Sequence, residues 1–111
     1  MASLRRPLLL SEMLPALVRE LQGLLAESGE AELVAQVPEL EIVERCRCGD
    51  DFCATFYAQP KPDGKWGPNH RSVALEPTRG MLILDVVDGK IACVEVLYRD
   101  SIRKTLHEAL P

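Results

Sequence analysis

The feature that most constrains the fold is a strong hairpin signal in the second half of the chain. Two runs rich in aliphatic and β-branched residues fill residues 80–98 and meet at Asp88-Gly89. An Asp-Gly pair between such runs is the strongest short-range signal for a tight β-turn, because both residues tolerate positive φ. The sequence therefore predicts an antiparallel pair of strands at the centre of the fold.

The register of this hairpin decides which side chains reach the core. With a two-residue loop, each face of the ribbon carries one of the two carboxylates, Asp85 and Glu95. A three-residue loop over residues 87–89, with Gly89 left-handed in a bulge, places both carboxylates on one face. We favour the three-residue loop, because burying an unpaired carboxylate is costly. The face with the two acids would also hold Met81, Ile83, Ile91, Cys93 and Leu97.

Helices are predicted at both ends of the chain. Apolar residues at helical spacing follow Ser11, a suitable N-cap, and predict a helix to Ser28, with Gly29 ending it in the left-handed conformation. A shorter helix follows over residues 30–37. A C-terminal helix begins at Asp100 or Ser101. The inward stripes consist of Leu14, Leu17, Val18, Leu21, Leu24 and Leu25 in the first helix, and of Ile102, Leu106, Ala109 and Leu110 in the last.

The intervening segments predict strands over residues 40–48, 52–58 and 71–76, separated by a long loop rich in proline and glycine over residues 59–70. The connections between strands are mostly too short for parallel crossovers. The predicted fold is therefore α+β, an antiparallel meander of about five strands with an N-terminal helix and a C-terminal helix. The chain length fits a single domain, residues 1–111, in which residues 1–10 are loose.

Residues 80–97 also resemble a known family. The run Gly80-x-Leu82-x-x-Asp85-x-x-Asp88-Gly89-x-Ile91-x-x-Val94-Glu95-x-Leu97 is similar to the second half of a family of very small, uncharacterised bacterial β-meander proteins. Residues 52–58 resemble the first strand of that family, whereas the N-terminal helix, the cysteines and the long loop depart from it. The resemblance implies a meander fold and assigns no chemistry.

Charge and hydropathy narrow the classes of partner. The formal net charge is −4, and eight acids between Glu27 and Asp51 face only Arg45 and Arg47. This balance argues against nucleic acid as a partner. No stretch has the length of a membrane span, so no membrane partner is expected and the protein should be cytoplasmic. Its four cysteines should then be reduced thiols or metal ligands.

Three cysteines form the first candidate site. If Asp50-Asp51 form a tight turn, Cys48 lies opposite Cys53, and Cys46 lies on the same face opposite Thr55. A fourth ligand from His70, Cys93 or an aspartate would complete a tetrahedral zinc site. The spacing matches no common Cys-x-x-Cys knuckle. Reversible Cys48–Cys53 oxidation and inert packing therefore stay open as alternatives.

The long loop is the second candidate site. It gathers Lys65, the single tryptophan Trp66, His70 and Arg71. Such a set can stack a planar ring and bind an anion, although an indole that anchors the loop has the same sequence pattern. The loop is therefore a candidate site for a small ligand.

The acid pair, Asp85 and Glu95, is the third candidate. Paired carboxylates can serve acid–base chemistry, but no nucleophile, phosphate loop or histidine pair accompanies them in the sequence. We therefore expect a non-enzymatic binding or interaction protein, with a zinc-binding or thiol-redox protein using Cys46, Cys48 and Cys53 as the alternative. The half-apolar face of the hairpin further predicts a weak homodimer. A protein or small-ligand partner is also expected, but the sequence does not identify it.

Overall fold

The computed structural model describes residues 7–111, and its core lies between one face of a five-stranded sheet and a layer of helices. The helices are α1 (Leu10–Met13), α2 (Pro15–Glu27), α3 (Ala31–Gln36) and α4 (Asp100–Ala109), with a 3₁₀ turn at Val37–Glu39. The strands are β1 (Leu8–Leu9), β2 (Glu41–Ile42), β3 (Glu44–Arg45), β4 (Phe56–Tyr57), β5 (His70–Leu75), β6 (Met81–Val87) and β7 (Lys90–Leu97).

All strand pairs in the larger sheet are antiparallel, in the order β3-β4-β7-β6-β5. Strands β5, β6 and β7 form a meander, and the β3–β4 pair adds to the free edge of β7. Strands β1 and β2 form a separate two-stranded sheet. The α+β fold with an antiparallel sheet, an N-terminal helix and a C-terminal helix is therefore confirmed.

The N-terminal helix predicted over residues 11–28 is two helices. The chain leaves helical geometry at Leu14, and Pro15 begins α2. Proline lacks an N–H donor and disfavours helical geometry in the residue before it, so it starts a helix more readily than it continues one. Ser11 lies inside α1 and caps nothing, whereas Gly29 ends the segment at a φ of 75° as predicted.

The first described residues and the start of the C-terminal helix also differ from the prediction. Of the segment predicted to be loose, Leu8 and Leu9 pair with β2 and Leu10 is fully buried in α1, whereas residues 1–6 lie outside the described residues. At the other end Arg99, not Asp100 or Ser101, is the N-cap of α4. Asp100 instead occupies the first turn, where a carboxylate interacts favourably with the helix dipole.

Two predicted strands are shorter than expected. The strand predicted over residues 40–48 divides at the exposed Val43, because β2 pairs with β1 whereas β3 pairs with β4. The strand predicted over residues 52–58 is reduced to β4 and an isolated bridge between Cys53 and Leu97. The strand predicted over residues 71–76 is β5, an edge strand that begins one residue earlier, at His70.

The preferred three-residue hairpin loop is wrong. Asp88 and Gly89 form a two-residue turn at φ values of 53° and 77°. The bulge lies further along β7, where the pairing passes from Val86–Ile91 to Asp85–Cys93 and leaves Ala92 as the extra residue. Both carboxylates still share one face, as the three-residue loop was chosen to ensure. Ile91, however, joins the core instead of the face that carries them.

All the helices contribute buried side chains to a core against one face of the large sheet. We call the other face the open face. The strand registers place on it, among others, Cys46, Tyr57, Ser72, Ile83, Asp85, Cys93 and Glu95. Within residues 7–111 no helix is both long and apolar enough to cross a membrane.

Gly80 should tolerate no side chain. It lies before β6 at a φ of 66°, and a Cβ built there would overlap the backbone carbonyl oxygen of Leu97. We expect Gly80→Ala to lower the free energy of unfolding by at least about 2 kcal/mol, because backbone strain adds to the overlap. Chemical denaturation measures this difference.

Gly23→Ala is the matched control. Gly23 lies inside α2 with no atom within 4 Å of the position of its Cβ. This substitution should raise the free energy of unfolding by about 0.5–1 kcal/mol, because alanine loses less backbone entropy in a helix. Equal effects of the two substitutions would contradict the described turn at Gly80.

Candidate functional site

A cavity of about 350 Å³ on the open face brings together residues from all three predicted sites. It lies between the cysteine-containing turn that follows β3 and the long loop that precedes β5. The residues that line it are Cys46, Asp50, Phe52, Cys53, Thr55, Tyr57, Trp66, Asp85, Cys93, Glu95 and Leu97. We call it the site cavity.

The sulfur atoms of Cys46, Cys48 and Cys53 all lie within 4.8 Å of one another, and we call these residues the thiol cluster. The backbone N–H of Cys46 donates to the carbonyl of Thr55 (2.8 Å), which confirms the predicted pairing of these two residues. Gly49, at a φ of 83°, allows the chain to turn back. The predicted turn at Asp50-Asp51 lies one residue later, at Asp51-Phe52, where the N–H of Cys53 donates to the carbonyl of Asp50 (3.2 Å). The turn brings together three thiols that a straight strand would separate.

The thiol cluster favours one thiolate at Cys53. Burial raises the pKa of Cys53, but hydrogen bonds from the Thr55 hydroxyl and backbone and from the other two thiols outweigh it, so the net shift is downward. At Cys48 the backbone amide of Asp50 lowers the pKa, whereas desolvation and the neighbouring thiols together raise it to about 11. A thiolate at Cys53 is thus stabilised by donors already in place, and a thiolate is the form that binds metal.

The fourth metal ligand predicted from the sequence is not in place. In the described part of the chain, the groups that converge closely enough to hold a metal are the three cysteines of the thiol cluster. His70 instead donates through Nε2 to Asp85 Oδ1 (2.9 Å). Cys93 is buried in β7, and this burial raises the pKa of its thiol. A metal held by the thiol cluster therefore keeps one coordination position for a group that approaches it.

The acid pair, Asp85 and Glu95, lies on the floor of the site cavity. The residues are diagonal neighbours on β6 and β7, because Asp85 pairs with Cys93 and Glu95 lies two residues further along. Burial raises the pKa of Glu95 to about 7, with further contributions from its hydrogen bond to Asp85 and from the charge of Asp85. Glu95 therefore retains a proton over part of the neutral range, while Asp85 also accepts from His70 and, at 3.4 Å, from Ser72.

The loop between β4 and β5, residues 58–69, is the Trp66 loop. It begins with two N–H groups, of Ala58 and Gln59, that donate to the carbonyl of the bulged Ala92 (2.9 and 3.2 Å). The indole of Trp66 then lies half-buried, with its ring centroid 6.2 Å from that of Tyr57 and 6.1 Å from that of His70. The β4–β7 ladder thus continues to Ala58 and fixes the start of the loop that places an aromatic ring over the open face.

The structure does not bring together the four residues that were predicted to form a ligand site in this loop. Trp66 and His70 are neighbours, but Arg71 lies on the other face of β5 and forms a two-pronged ion pair with Glu30 (2.8 and 2.9 Å). Lys65 is exposed and does not line the site cavity. Adjacent residues of a strand point to opposite faces, which is why His70 and Arg71 cannot serve one site.

Sequence reasoning did not name Thr55 or Tyr57 as residues of this site. Thr55, buried in the sheet, accepts a hydrogen bond from the N–H of Val96 (3.1 Å) and donates to Cys53. Tyr57 faces the cavity beside Trp66, and burial raises the pKa of its hydroxyl to about 12, so it stays protonated. In the strand predicted over residues 52–58, alternation puts Cys53, Thr55 and Tyr57 on one face, and this was the available signal.

No protein-family model, no curated protein and no solved structure matches this chain.

Glu95 should make the stability of the protein fall with rising pH. Because its pKa is raised from 4.5 to about 7, the folded chain holds a proton that the unfolded chain has lost in this interval. The unfolded state then binds fewer protons, so the free energy of unfolding decreases as pH rises through this interval. We expect Glu95→Gln to remove about 1 kcal/mol of this decrease, a value reduced to allow for solvent screening.

Denaturant unfolding across this pH range measures the effect. Glu76→Gln, at an exposed side chain outside the site cavity, is the control and should follow the wild-type curve. Parallel pH profiles for wild type and Glu95→Gln would show that the acid pair holds no proton in this range.

Proposed function

We propose that this protein is a small non-enzymatic binding protein that holds one thiophilic metal ion, zinc in the first instance, in the thiol cluster. The observation that carries the proposal is the convergence of three sulfur atoms within 4.8 Å of one another. Tetrahedral zinc with Zn–S bonds of about 2.3 Å requires sulfur atoms about 3.7 Å apart. The sulfur atoms therefore need to approach one another by at most about 1 Å, a movement on the scale of side-chain rotation.

The surroundings of Cys53 support metal binding further. Its sulfur already accepts hydrogen bonds from Thr55, whose hydroxyl also accepts from the backbone of Val96 and so is fixed in orientation. A group that holds a metal ligand in place in this way is characteristic of metal sites. The soft thiolate set selects zinc or a similarly thiophilic ion over magnesium or calcium.

A thiol-redox function is the second candidate, because the same convergence would allow a Cys48–Cys53 disulfide. The lowered pKa of Cys53 and the exposure of Cys48 favour thiol–disulfide exchange. Three thiols leave one cysteine unpaired after a disulfide forms, whereas a metal uses all three. Metal binding is for this reason the leading proposal.

A cytoplasmic location is part of the same proposal. The thiol cluster must stay reduced to bind a metal, and thiols stay reduced in the cytosol.

Cys48→Ser should weaken zinc binding by at least about 100-fold, because losing a direct ligand exceeds the 10–100-fold cost of losing an outer-shell partner. Cys48 is exposed, so the substitution should leave the fold intact. Competition titration with a chromophoric chelator measures the affinity, and native mass spectrometry measures the stoichiometry, expected to be one ion per chain. Affinity should rise with pH by about tenfold per unit for each proton that binding releases.

Cys93→Ala is the matched control, because Cys93 is a buried thiol outside the thiol cluster, and it should leave the zinc affinity unchanged. Equal affinities for wild type and Cys48→Ser would exclude the proposed metal site. A metal-free wild type that is two daltons lighter than its reduced form would favour the redox candidate instead.

We also propose a weak homodimer through the apolar part of the open face. Ile83 and Leu97 are partly exposed there, and the neighbouring Met81 is 45 % exposed. Apolar side chains grouped on an uncovered sheet face favour self-association.

Ile83→Lys should weaken this dimer by about tenfold or more, because it places a charge in the apolar contact. Sedimentation equilibrium gives the dissociation constant, and Thr78→Lys, at an exposed site outside the strands, is the control. A wild-type chain that stays monomeric at millimolar concentration would contradict the proposed dimer.

A further inference from the structure

The site cavity is larger than a metal ion needs. Its volume of about 350 Å³ corresponds to roughly twelve waters at about 30 Å³ each, and it falls at the small end of ligand pockets. The space extends from the thiol cluster past the acid pair to Trp66. A metal at one end would therefore leave room for a second, organic ligand.

The arrangement of the thiol cluster places the free coordination position of the metal toward this space. Cys46 and Cys53 line the site cavity, whereas Cys48 does not and is exposed to solvent. A metal bound to the three sulfur atoms would have Cys48 on its solvent side and Cys46 and Cys53 at the wall of the cavity. Its fourth tetrahedral position would then point into the cavity.

The charge of the residues that line the site cavity determines which charge a ligand can carry. Asp50 and Asp85 line the site cavity together with Glu95, which retains a proton over part of the neutral range, and of the described residues neither lysine nor arginine lines it. Three thiolates would add negative charge around the metal. An anionic ligand would meet like charges, whereas a neutral or cationic ligand would not.

The walls indicate the shape of the ligand. The half-buried ring of Trp66 lies beside Tyr57 at one end, and the partly exposed ring of Phe52 lies at the other, stacked on Tyr98 with a centroid distance of 5.2 Å. Aromatic walls bind planar rings by stacking and bind cations by their π faces. The carboxyl of Glu95, between them, is an acceptor for an N–H donor.

We infer that the site cavity binds a small planar nitrogen base, neutral or cationic, with a nitrogen at the fourth position of the metal, an N–H directed to Glu95 and its ring against Trp66. This inference rests on the proposed metal site. Nitrogen is the natural donor for zinc beside thiolates, because imidazole and thiolate are its common ligands.

The test uses the full chain loaded with Co²⁺, whose visible absorption reports the fourth ligand, and imidazole as the probe. Imidazole should shift the absorption bands in a saturable manner, while acetate, an anion of similar size, should not. Trp66→Ala should weaken imidazole binding by about tenfold, the scale of one lost stacking contact, without changing the Co²⁺ affinity. Lys65→Ala, at the adjacent exposed residue, is the matched control. Trp66→Phe, which keeps an aromatic ring, should retain most of the affinity if Trp66→Ala proves unfolded.

Each outcome decides one part of the inference. A chain that takes up no Co²⁺ overturns both the metal site and the ligand site. Co²⁺ uptake with no response to imidazole overturns the ligand site alone; a response that then appears in Asp50→Asn would identify Asp50 as the fourth ligand. Equal imidazole affinity in Trp66→Ala and Lys65→Ala overturns the role of the aromatic wall, and equal binding of acetate overturns the selection by charge.

Discussion

The extra residue in β7, Ala92, is the feature on which the rest of the site depends. A regular hairpin with the same two-residue turn would set Leu82 opposite Glu95 and direct that carboxylate into the core. The bulge shifts the register by one residue, so Glu95 instead lies on the open face beside Asp85. The carbonyl of Ala92 accepts the N–H of Ala58, which continues the β4–β7 ladder, and also the N–H of Gln59, where the Trp66 loop begins. The inserted residue thus positions the acid pair on the open face, beside the point where the Trp66 loop leaves the sheet.

The one-sided packing of the helices gives the open face its chemistry. The apolar side chains of β4, β6 and β7 alternate toward the helices, so the side chains between them need not be apolar. On this face the thiols come from the turn after β3, the carboxylates from the two central strands and the aromatic rings from β4 and the Trp66 loop. Rigid strands hold the acid pair, while turns and loops supply the remaining groups, a common division in binding sites.

The proposed metal and the proposed ligand both suit this arrangement of side chains. The thiol cluster has the softness and geometry for zinc but offers three ligands, and the space beside it is acidic and aromatic. A nitrogen base satisfies both conditions at once, because it completes the coordination and suits the charge of the cavity. Thr55 links the thiol cluster to the sheet, since the same hydroxyl orients Cys53 and accepts a hydrogen bond from the backbone of β7.

Local signals in the sequence determined the hairpin at Asp88-Gly89, the ends of the helices at Gly29 and around Asp100, and the edge strand before Pro77. These depend on φ preferences, capping and periodicity within a few residues. Local sequence also showed that Cys46 would face Thr55. It placed Asp85 and Glu95 on one face only through a three-residue loop, whereas the structure achieves this with a two-residue turn and a bulge. It did not show the bulge at Ala92, because a bulge depends on which pairing satisfies the whole sheet. The convergence of the thiol cluster, Trp66 and the acid pair on one cavity was decided only by the tertiary structure, because these groups lie far apart in the chain and meet through the order of strands in the sheet. The separation of His70 from Arg71 depends on the start of β5 at His70, one residue before the predicted strand, because alternation then directs the two side chains to opposite faces.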